Sequence, residues 1–326
     1  MATAAAGQQK AAAAEQKVAK AQQEAAAAQQ EGASEQPPQR KQKTQETEFL
    51  RLARDGNKQP SALQAAIVRH AVKDRQKQGP MVDLVAAVHV AEGSYYRQLN
   101  REFSKYDAVL YELVAPEGTK IPKGGISGGS PVSMVQSGLT NVLELEFQLE
   151  QIDYNTKNMV HADMSPEQFA ESMRQRGESV FGIFLRMLGY AIARQNQGSG
   201  GSSDAALLLA LFDRNRALAL KRVLAEQFEE MEGTLVALEG PNGSTILTER
   251  NKVVIEVLRK QIAAGKRKIA IFYGAGHMPD LQKRLREQFN LEPVSTRWLV
   301  AWNLESDPEP GPKTDPKPVP AAETAQ

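Results

Sequence analysis

The chain has 326 residues, with 40 lysines and arginines against 39 aspartates and glutamates, and it has no cysteine. The balanced charge gives no basic field for nucleic acid, and the lack of cysteine excludes disulfides, thiolate metal ligands and a cysteine nucleophile. No apolar run reaches the roughly 18 to 20 residues that cross a bilayer. Since no signal-peptide core is visible either, we expect a soluble protein, cytoplasmic if the start is correct.

Both ends of the chain have the composition of weakly structured segments. Residues 1–47 are low in complexity, rich in Ala, Gln, Lys and Glu, and have no apolar stripe. This composition predicts a disordered or frayed, coiled-coil-like helical arm that runs into a linker. Residues 305–326 are rich in Pro, Glu and Lys, which predicts a disordered tail. The folded domain is therefore expected at residues 48–304.

The domain is predicted to begin with helices. Apolar residues at helical spacing favour helices laid against the core: Phe49, Leu52, Leu63, Ile67 and Val68. His70 is expected to belong to this helical stretch.

A β-His-α-β unit follows. Residues 82–88 form a strand-like run, His89 comes directly after it, and the apolar spacing within 95–103 predicts a helix. The next predicted strand, 108–114, contains Glu112. A carboxylate inside an apolar strand is expensive unless it is paired, protonated or bound to a metal. Glu112 is therefore a candidate site residue, the alternative being that this side of the strand is solvated.

Residues 132–233 predict a large helical insertion, preceded by a Gly/Pro/Ser-rich loop at 117–131. Ser165, followed by a proline, is predicted to cap one of its helices. His161 and Asp163 lie just before this cap. These two residues could orient a substrate or help to hold a metal, although capping or bridging of the helices is the favoured interpretation.

The helix after the insertion opens with an unusual triplet. Thr248 is predicted to cap this helix, whose first turn holds Glu249, Arg250 and Asn251. Glutamate suits the positive end of the helix dipole, whereas arginine does not. We therefore expect Arg250 to bind a carboxylate or a developing oxyanion, the alternative being a surface arginine in an ordinary capping-box helix.

Residues 268–302 repeat the layout of the first unit. A strand-like run at 268–273 is followed by the turn Gly274-Ala-Gly-His277, then by a helix face and a further strand-like segment at 298–302. Two such units predict an α/β fold with a mixed central sheet. Because ligands gather at the carboxyl edge of such sheets, His89 and His277 are expected to face a shared cleft, where they could bind a metal or shuttle protons. The alternative is that each imidazole is bonded to backbone at a strand end.

The motifs point to one family. The paired strand-end histidines, Glu112, and the triplet Glu249-Arg-Asn ahead of Gly274-Ala-Gly-His resemble the TraB/GumN/TIKI superfamily and, more distantly, erythromycin-esterase and ChaN-like proteins. The resemblance covers about 81–116 and 248–304, and the first turn, Ala86-Ala-Val-His, lacks the glycine of the family's GxxH motif. It implies an α/β fold with a helical insertion and a shared site of His89, Glu112, Arg250 and His277. Members of the TIKI type look like divalent-metal-dependent peptidases.

We therefore expect a hydrolase, most specifically a metal-dependent peptidase acting on a peptide or small-molecule substrate, with the oligomeric state left open. His89, His277 and Glu112 would hold manganese, cobalt or zinc, and Arg250 would face the oxyanion. No nucleotide cofactor is expected, because no Walker A loop or GxGxxG motif occurs. No HExxH helix appears either, and the GxSxG spacing at Gly125–Gly129 lies within the predicted loop at 117–131 and not at a strand-to-helix elbow. Further candidates for contacts to substrate or to these four residues are Glu249, Asn251, Tyr273, His161 and Asp163.

Three alternatives stay open. In the first, the site works without a metal, with the histidines as acid and base or Glu112 as general base. In the second, the same scaffold binds and sequesters a peptide or small ligand without turnover. In the third and weakest, the chain is a scaffold whose amino-terminal arm contacts a partner helix.

Overall fold

The computed structural model of the chain describes residues 47–73, 79–116, 118–122, 143–179, 206, 209–239 and 243–306. The predictions for residues 1–46 and for 307–326, and those for parts of the loop and insertion between 117 and 205, lie outside the described residues. Contacts between residues divide the chain between Thr47 and Glu48. Every element named below belongs to the part that begins at Glu48.

Seven strands in the described part of the chain form one mixed sheet, as the sequence predicts for an α/β fold. They are β1 (Leu50–Arg54), β2 (Pro60–Ala71), β3 (Met81–Ala87), β5 (Ala108–Tyr111), β7 (Met159–His161), β8 (Lys268–Gly274) and β9 (Glu292–Asn303), and the short strands β4 (Val90–Ala91) and β6 (Glu146–Phe147) pair with each other separately. The order is β1-β2-β3-β8-β5-β7, with β9 also paired to β2. Strands β3, β8, β5 and β7 run parallel, while β1, β3 and β9 are antiparallel to β2.

Six helices are described alongside the sheet. They are α1 (Gly93–Phe103), α2 (Gln148–Gln151), α3 (Pro166–Gln175), α4 (Arg216–Glu239), α5 (Arg250–Ala263) and α6 (Met278–Phe289). Strands β3 and β8 are buried along almost their whole length, as expected for parallel strands covered on both faces. No helix in this described part combines the length and the apolar character needed to cross a bilayer.

The helices predicted around Phe49 and His70 are wrong, because these residues belong to the antiparallel strands β1 and β2 and the segment just before them. Strand β2 buries residues on both of its faces, including the neighbours Ala65 and Ala66. A strand buried on both faces has no two-residue alternation, so its apolar spacing can imitate that of a helix. His70 is fully buried, with Nδ1 3.0 Å from the carbonyl oxygen of Val68.

The two predicted β-His-α-β units share their first strand and helix but differ in their last strand. In the first unit, β3 leads through α1 to β5, which runs parallel to β8. In the second, β8 leads through α6 to β9, which turns back antiparallel along β2. Strand β8 lies between β3 and β5 in the sheet, so the strand ends that precede His89 and His277 are direct neighbours.

Part of the predicted helical insertion belongs to the sheet. Strand β7 pairs in parallel with β5, with Tyr111 opposite His161. A strand of three residues is too short to show any periodicity in the sequence, which is why this one was missed. The predicted cap at Ser165 is confirmed, since its hydroxyl accepts from the Gln168 amide while the Gln168 side chain accepts from the Ser165 amide.

The cap predicted at Thr248 is wrong. Ser244 caps a π-helical turn, Thr245–Glu249, by accepting from the Leu247 amide at 3.2 Å, and α5 begins only at Arg250. The Thr248 hydroxyl instead accepts from the Ser244 amide at 3.2 Å. Both residues therefore take part in one capping arrangement, which starts one turn earlier than the sequence pattern indicates.

Candidate active site

Four polar side chains follow the carboxyl ends of the four parallel strands. His89 follows β3, His277 follows β8, Glu112 follows β5 and Asp163 follows β7. These strands are adjacent in the order β3-β8-β5-β7. Because the carboxyl ends of parallel strands share one edge, residues far apart in the sequence meet there. Glu112 thus lies directly after its strand, and the prediction that it interrupts the strand is wrong.

Three of these side chains converge on the last residue of β8, Gly274. A Cβ atom placed there would lie 3.3 Å from Oε2 of Glu112, 3.4 Å from Nε2 of His89 and 3.7 Å from Cδ2 of His277. The Gly274 amide also donates to Oε2 of Glu112 at 2.6 Å. Its φ of −50° is open to any residue, so a side chain here would be limited by space and not by backbone conformation. The structure therefore brings the two predicted histidines and the predicted glutamate together.

His277 is held by Asn251, the second residue of α5. The Asn251 amide nitrogen donates to Oδ2 of Asp280 at 2.8 Å and to the His277 carbonyl at 3.3 Å. Its Oδ1 therefore accepts from Nδ1 of His277, at 2.8 Å. This leaves the lone pair on Nε2, which lies 3.6 Å from Oε1 of Glu112.

The charge state of His277 follows from its surroundings. The ring is buried, and burial lowers the pKa of His277 to about 4 although the charge of Glu112 acts in the opposite direction. The imidazole is therefore neutral at pH 7. This is the form that can accept a proton or bind a metal.

Arg250 joins two carboxylates from neighbouring strand ends. Its Nη2 donates to Oε1 of Glu112 at 2.8 Å and to Oδ2 of Asp163 at 2.5 Å, and its Nε donates to Oδ1 of Asp163 at 2.9 Å. The side chains of Arg250, Glu112 and Asp163 are only 10%, 13% and 0% exposed. The first residue of α5 thus binds carboxylates, which is one of the two roles expected for it.

Glu112 is ionised in spite of its burial. Burial by itself raises the pKa of Glu112, but the neighbouring positive charges and the Gly274 amide outweigh it and lower the pKa to about 2. Among these charges, only that of Arg250 is permanent. Arg250 faces two carboxylates with a single positive charge, so this buried group carries one net negative charge.

His89 is the exposed member of the site. Its Nδ1 lies 3.0 Å from Oε1 of Gln148, and the Gln148 amide nitrogen donates to the Tyr154 hydroxyl at 2.8 Å. Since His277 and Glu112 lie deeper, the site opens to solvent on the His89 side. Sequence reasoning missed Gln148 and Tyr154, because a single buried amide or phenol in a polar stretch has no distinguishing pattern.

Tyr273, the residue before Gly274, forms part of the wall of the site. It is fully buried, and its hydroxyl donates to the carbonyl of Ala162 at 2.5 Å. Its ring packs edge-on against the His277 ring, with the centroids 5.1 Å apart. Tyr273 therefore supports His277 by packing.

The side chains of Glu249 and His161 form their hydrogen bonds with residues outside the central four. The carboxylate of Glu249 accepts from Arg176 at 3.0 Å and from Lys252 at 2.8 Å. Nε2 of His161 lies 2.6 Å from the carbonyl oxygen of Leu113. Both side chains are thus engaged in local bonds at the border of the site.

No three His, Cys, Asp or Glu side chains of the described residues are already arranged as a metal-binding group. Comparison of the chain with protein-family models, with curated proteins and with solved structures found no match. Evidence for a function therefore comes from the geometry of the site and from the motifs in the sequence.

Proposed function

We propose that this chain is a hydrolase, of the metal-dependent peptidase type that its motifs resemble. The observation that carries the proposal is the approach of His277 Nε2 to Glu112 Oε1 at 3.6 Å. At neutral pH both atoms are acceptors, one a lone pair of a neutral imidazole and the other an ionised carboxylate. Two buried acceptors this close are favourable only with a proton, a water molecule or a cation between them.

The donor set suits a divalent ion such as manganese, cobalt or zinc. His89 and His277 would each supply Nε2, and Glu112 would supply a carboxylate oxygen. Each histidine has its Nδ1 next to an amide oxygen, the kind of support that orients metal-binding imidazoles. The net negative charge around Arg250 also favours a cation. When bound, such an ion lowers the pKa of a water molecule and polarises a carbonyl group.

The charged residues then have distinct roles. Glu112, with its pKa lowered to about 2, is a weak base and suits a ligand better than a general base, which works best with a pKa near the working pH. The bonds of Arg250 to Asp163 and Glu112 come from Nε and Nη2 and do not use Nη1. This group can donate to a substrate oxygen on which negative charge develops. In a metal-free reaction, His277 would act as the general base and take the proton of the attacking water molecule.

The test uses a peptide library, with products identified by mass spectrometry. The full chain is treated with EDTA, and manganese, cobalt and zinc are then restored one at a time. We expect cleavage to stop with EDTA, to return with one of the metals, and to be lost in His277→Ala. His161→Ala is the matched control, and we expect it to keep activity because its ring nitrogen is bonded to a backbone carbonyl.

Other results would replace the proposal with one of the alternatives. Cleavage that persists after chelation would exclude the metal-dependent mechanism and favour the one in which the histidines act as acid and base. Peptides that bind to the wild-type chain without yielding any product would identify a sequestering protein and overturn the hydrolase.

A further inference from the structure

The orientation of His89 depends on a segment far from it in the sequence. Strand β4, just after His89, pairs with β6, so that Val90 lies opposite Phe147. The backbone amide of Gln148 donates to the backbone carbonyl of His89 at 2.9 Å, and the side-chain Oε1 of Gln148 lies 3.0 Å from Nδ1 of His89. Gln148 is thus fixed to His89 through both its backbone and its side chain.

Gln148 is itself firmly held. Gln148 is only 4% exposed, and its side-chain amide nitrogen donates to the Tyr154 hydroxyl at 2.8 Å. The Tyr154 ring packs against Tyr111, with the centroids 4.9 Å apart. The amide oxygen therefore points to His89 because the other end of the amide is occupied.

The two histidines are held in the same way by unrelated segments. Asn251 presents an amide oxygen to Nδ1 of His277 at 2.8 Å, as Gln148 does to Nδ1 of His89 at 3.0 Å. In each case Nε2 is the ring nitrogen left facing the space beside Gly274 or Glu112. In both imidazoles, therefore, a side-chain amide binds Nδ1 and leaves Nε2 facing the site.

We propose that Gln148 is a positioning residue that keeps His89 in its Nδ1–H form, with the Nε2 lone pair directed into the site. The catalytic consequence rests on the proposed function, whereas the orientation of the ring does not. Because His89 is exposed, loss of the amide oxygen frees its ring to turn or to move its proton to Nε2. Removal of such a partner lowers metal affinity or activity by about 10- to 100-fold.

Nuclear magnetic resonance of the full chain, labelled with ¹⁵N in its histidines, reads the protonated nitrogen of each ring directly. Spectra are recorded without metal at about pH 8, above the pKa of free histidine. We expect the Nδ1–H form for both His89 and His277 in the wild type. In Gln148→Leu, the signal of His89 should move toward the Nε2–H form while that of His277 stays unchanged. Gln148→Glu retains an acceptor oxygen and should preserve the wild-type form.

An Nε2–H form of His89 in the wild type, or a His89 signal that is the same in Gln148→Leu, would overturn the inference. If Gln148→Leu does not fold, Tyr154→Phe provides the second test, because it removes the support of the amide and should broaden or shift the His89 signal alone. Wild-type protein that shows the expected forms but cleaves no peptide would count against the proposed function and leave the role of Gln148 intact.

Discussion

The charge of Glu112 should contribute measurably to stability. The substitution Glu112→Gln keeps the shape of the side chain but removes the charge that faces Arg250. The folded protein lowers the pKa of Glu112 from 4.5 to about 2. Part of this lowering comes from the charge of His277, which is neutral at pH 7, so the stability that remains at pH 7 from Arg250 and the Gly274 amide is about 1 to 2 kcal/mol. We therefore expect Glu112→Gln to lower the free energy of unfolding by about that amount.

The loss should depend on pH in a defined direction. Because the folded-state pKa of Glu112 lies below the ordinary value, the stabilisation is complete above pH 4.5 and disappears as the pH falls through 2. At about pH 3 most of the unfolded chain is protonated at this position, and the difference between wild type and variant shrinks to less than about 1 kcal/mol.

Urea unfolding at the two pH values measures this difference. Glu256→Gln is the matched control, since Glu256 lies on α5 like Arg250 but has a side chain that is 63% exposed. An exposed ion pair contributes about 0 to 1 kcal/mol, so this variant should remain close to the wild type. A loss in Glu112→Gln that is equal at both pH values, or no larger than that of the control, would refute the reasoning.

Three further predictions follow from single contacts. Gly274→Ala should leave stability within about 1 kcal/mol, since its φ of −50° suits alanine, but should lower kcat/KM about tenfold or more, because the methyl group enters the space where the site residues converge. In the metal-free protein, the His277 ring should titrate near pH 4, its lowered pKa, and a midpoint near 6.5 measured by nuclear magnetic resonance would contradict the assignment. Asp83→Asn should lower the free energy of unfolding by about 2 to 3 kcal/mol, because Asp83 binds Arg69 through two 2.9 Å contacts and Tyr106 at 2.6 Å. The activity of Asp83→Asn, divided by the fraction of folded protein measured by denaturation, should equal that of the wild type. The reason is that Asp83 lies toward the amino end of β3, whereas the site lies at the carboxyl end.

The centre of the site was accessible from the sequence because its signals are local and strong. The runs that form β3 and β8 are mostly apolar, with Asp83 the exception inside β3, and each ends close before a histidine. The rule that ligands gather at the carboxyl edge of parallel strands then places His89 and His277 together. Glu112 and Arg250 are visible in the sequence as charged residues in unfavourable places. This kind of signal does not depend on the exact bounds of a strand or helix.

The partners of these residues were not accessible in the same way. Asp163 is predicted only as one of several supporting candidates, with no partner specified, because the three-residue strand that positions it has no periodicity. Gln148 carries no charge, and glutamine is common on surfaces, so only its burial reveals its role. Strand β2 was mistaken for a helix since burial on both faces removes the alternation that distinguishes a strand.

Arg250 links Glu112 to Asp163, the residue that follows the last strand in the order of the sheet. In the order of the described strands, β7 is the last and is paired only with β5. It carries the backbone that leads to Asp163, whose carboxylate receives two of the three bonds that Arg250 gives. The segment that carries β7 thus adds a second carboxylate beside that of Glu112, and the two together exceed the single positive charge of Arg250. It contributes to the charge of the site, although it supplies neither of the two central histidines.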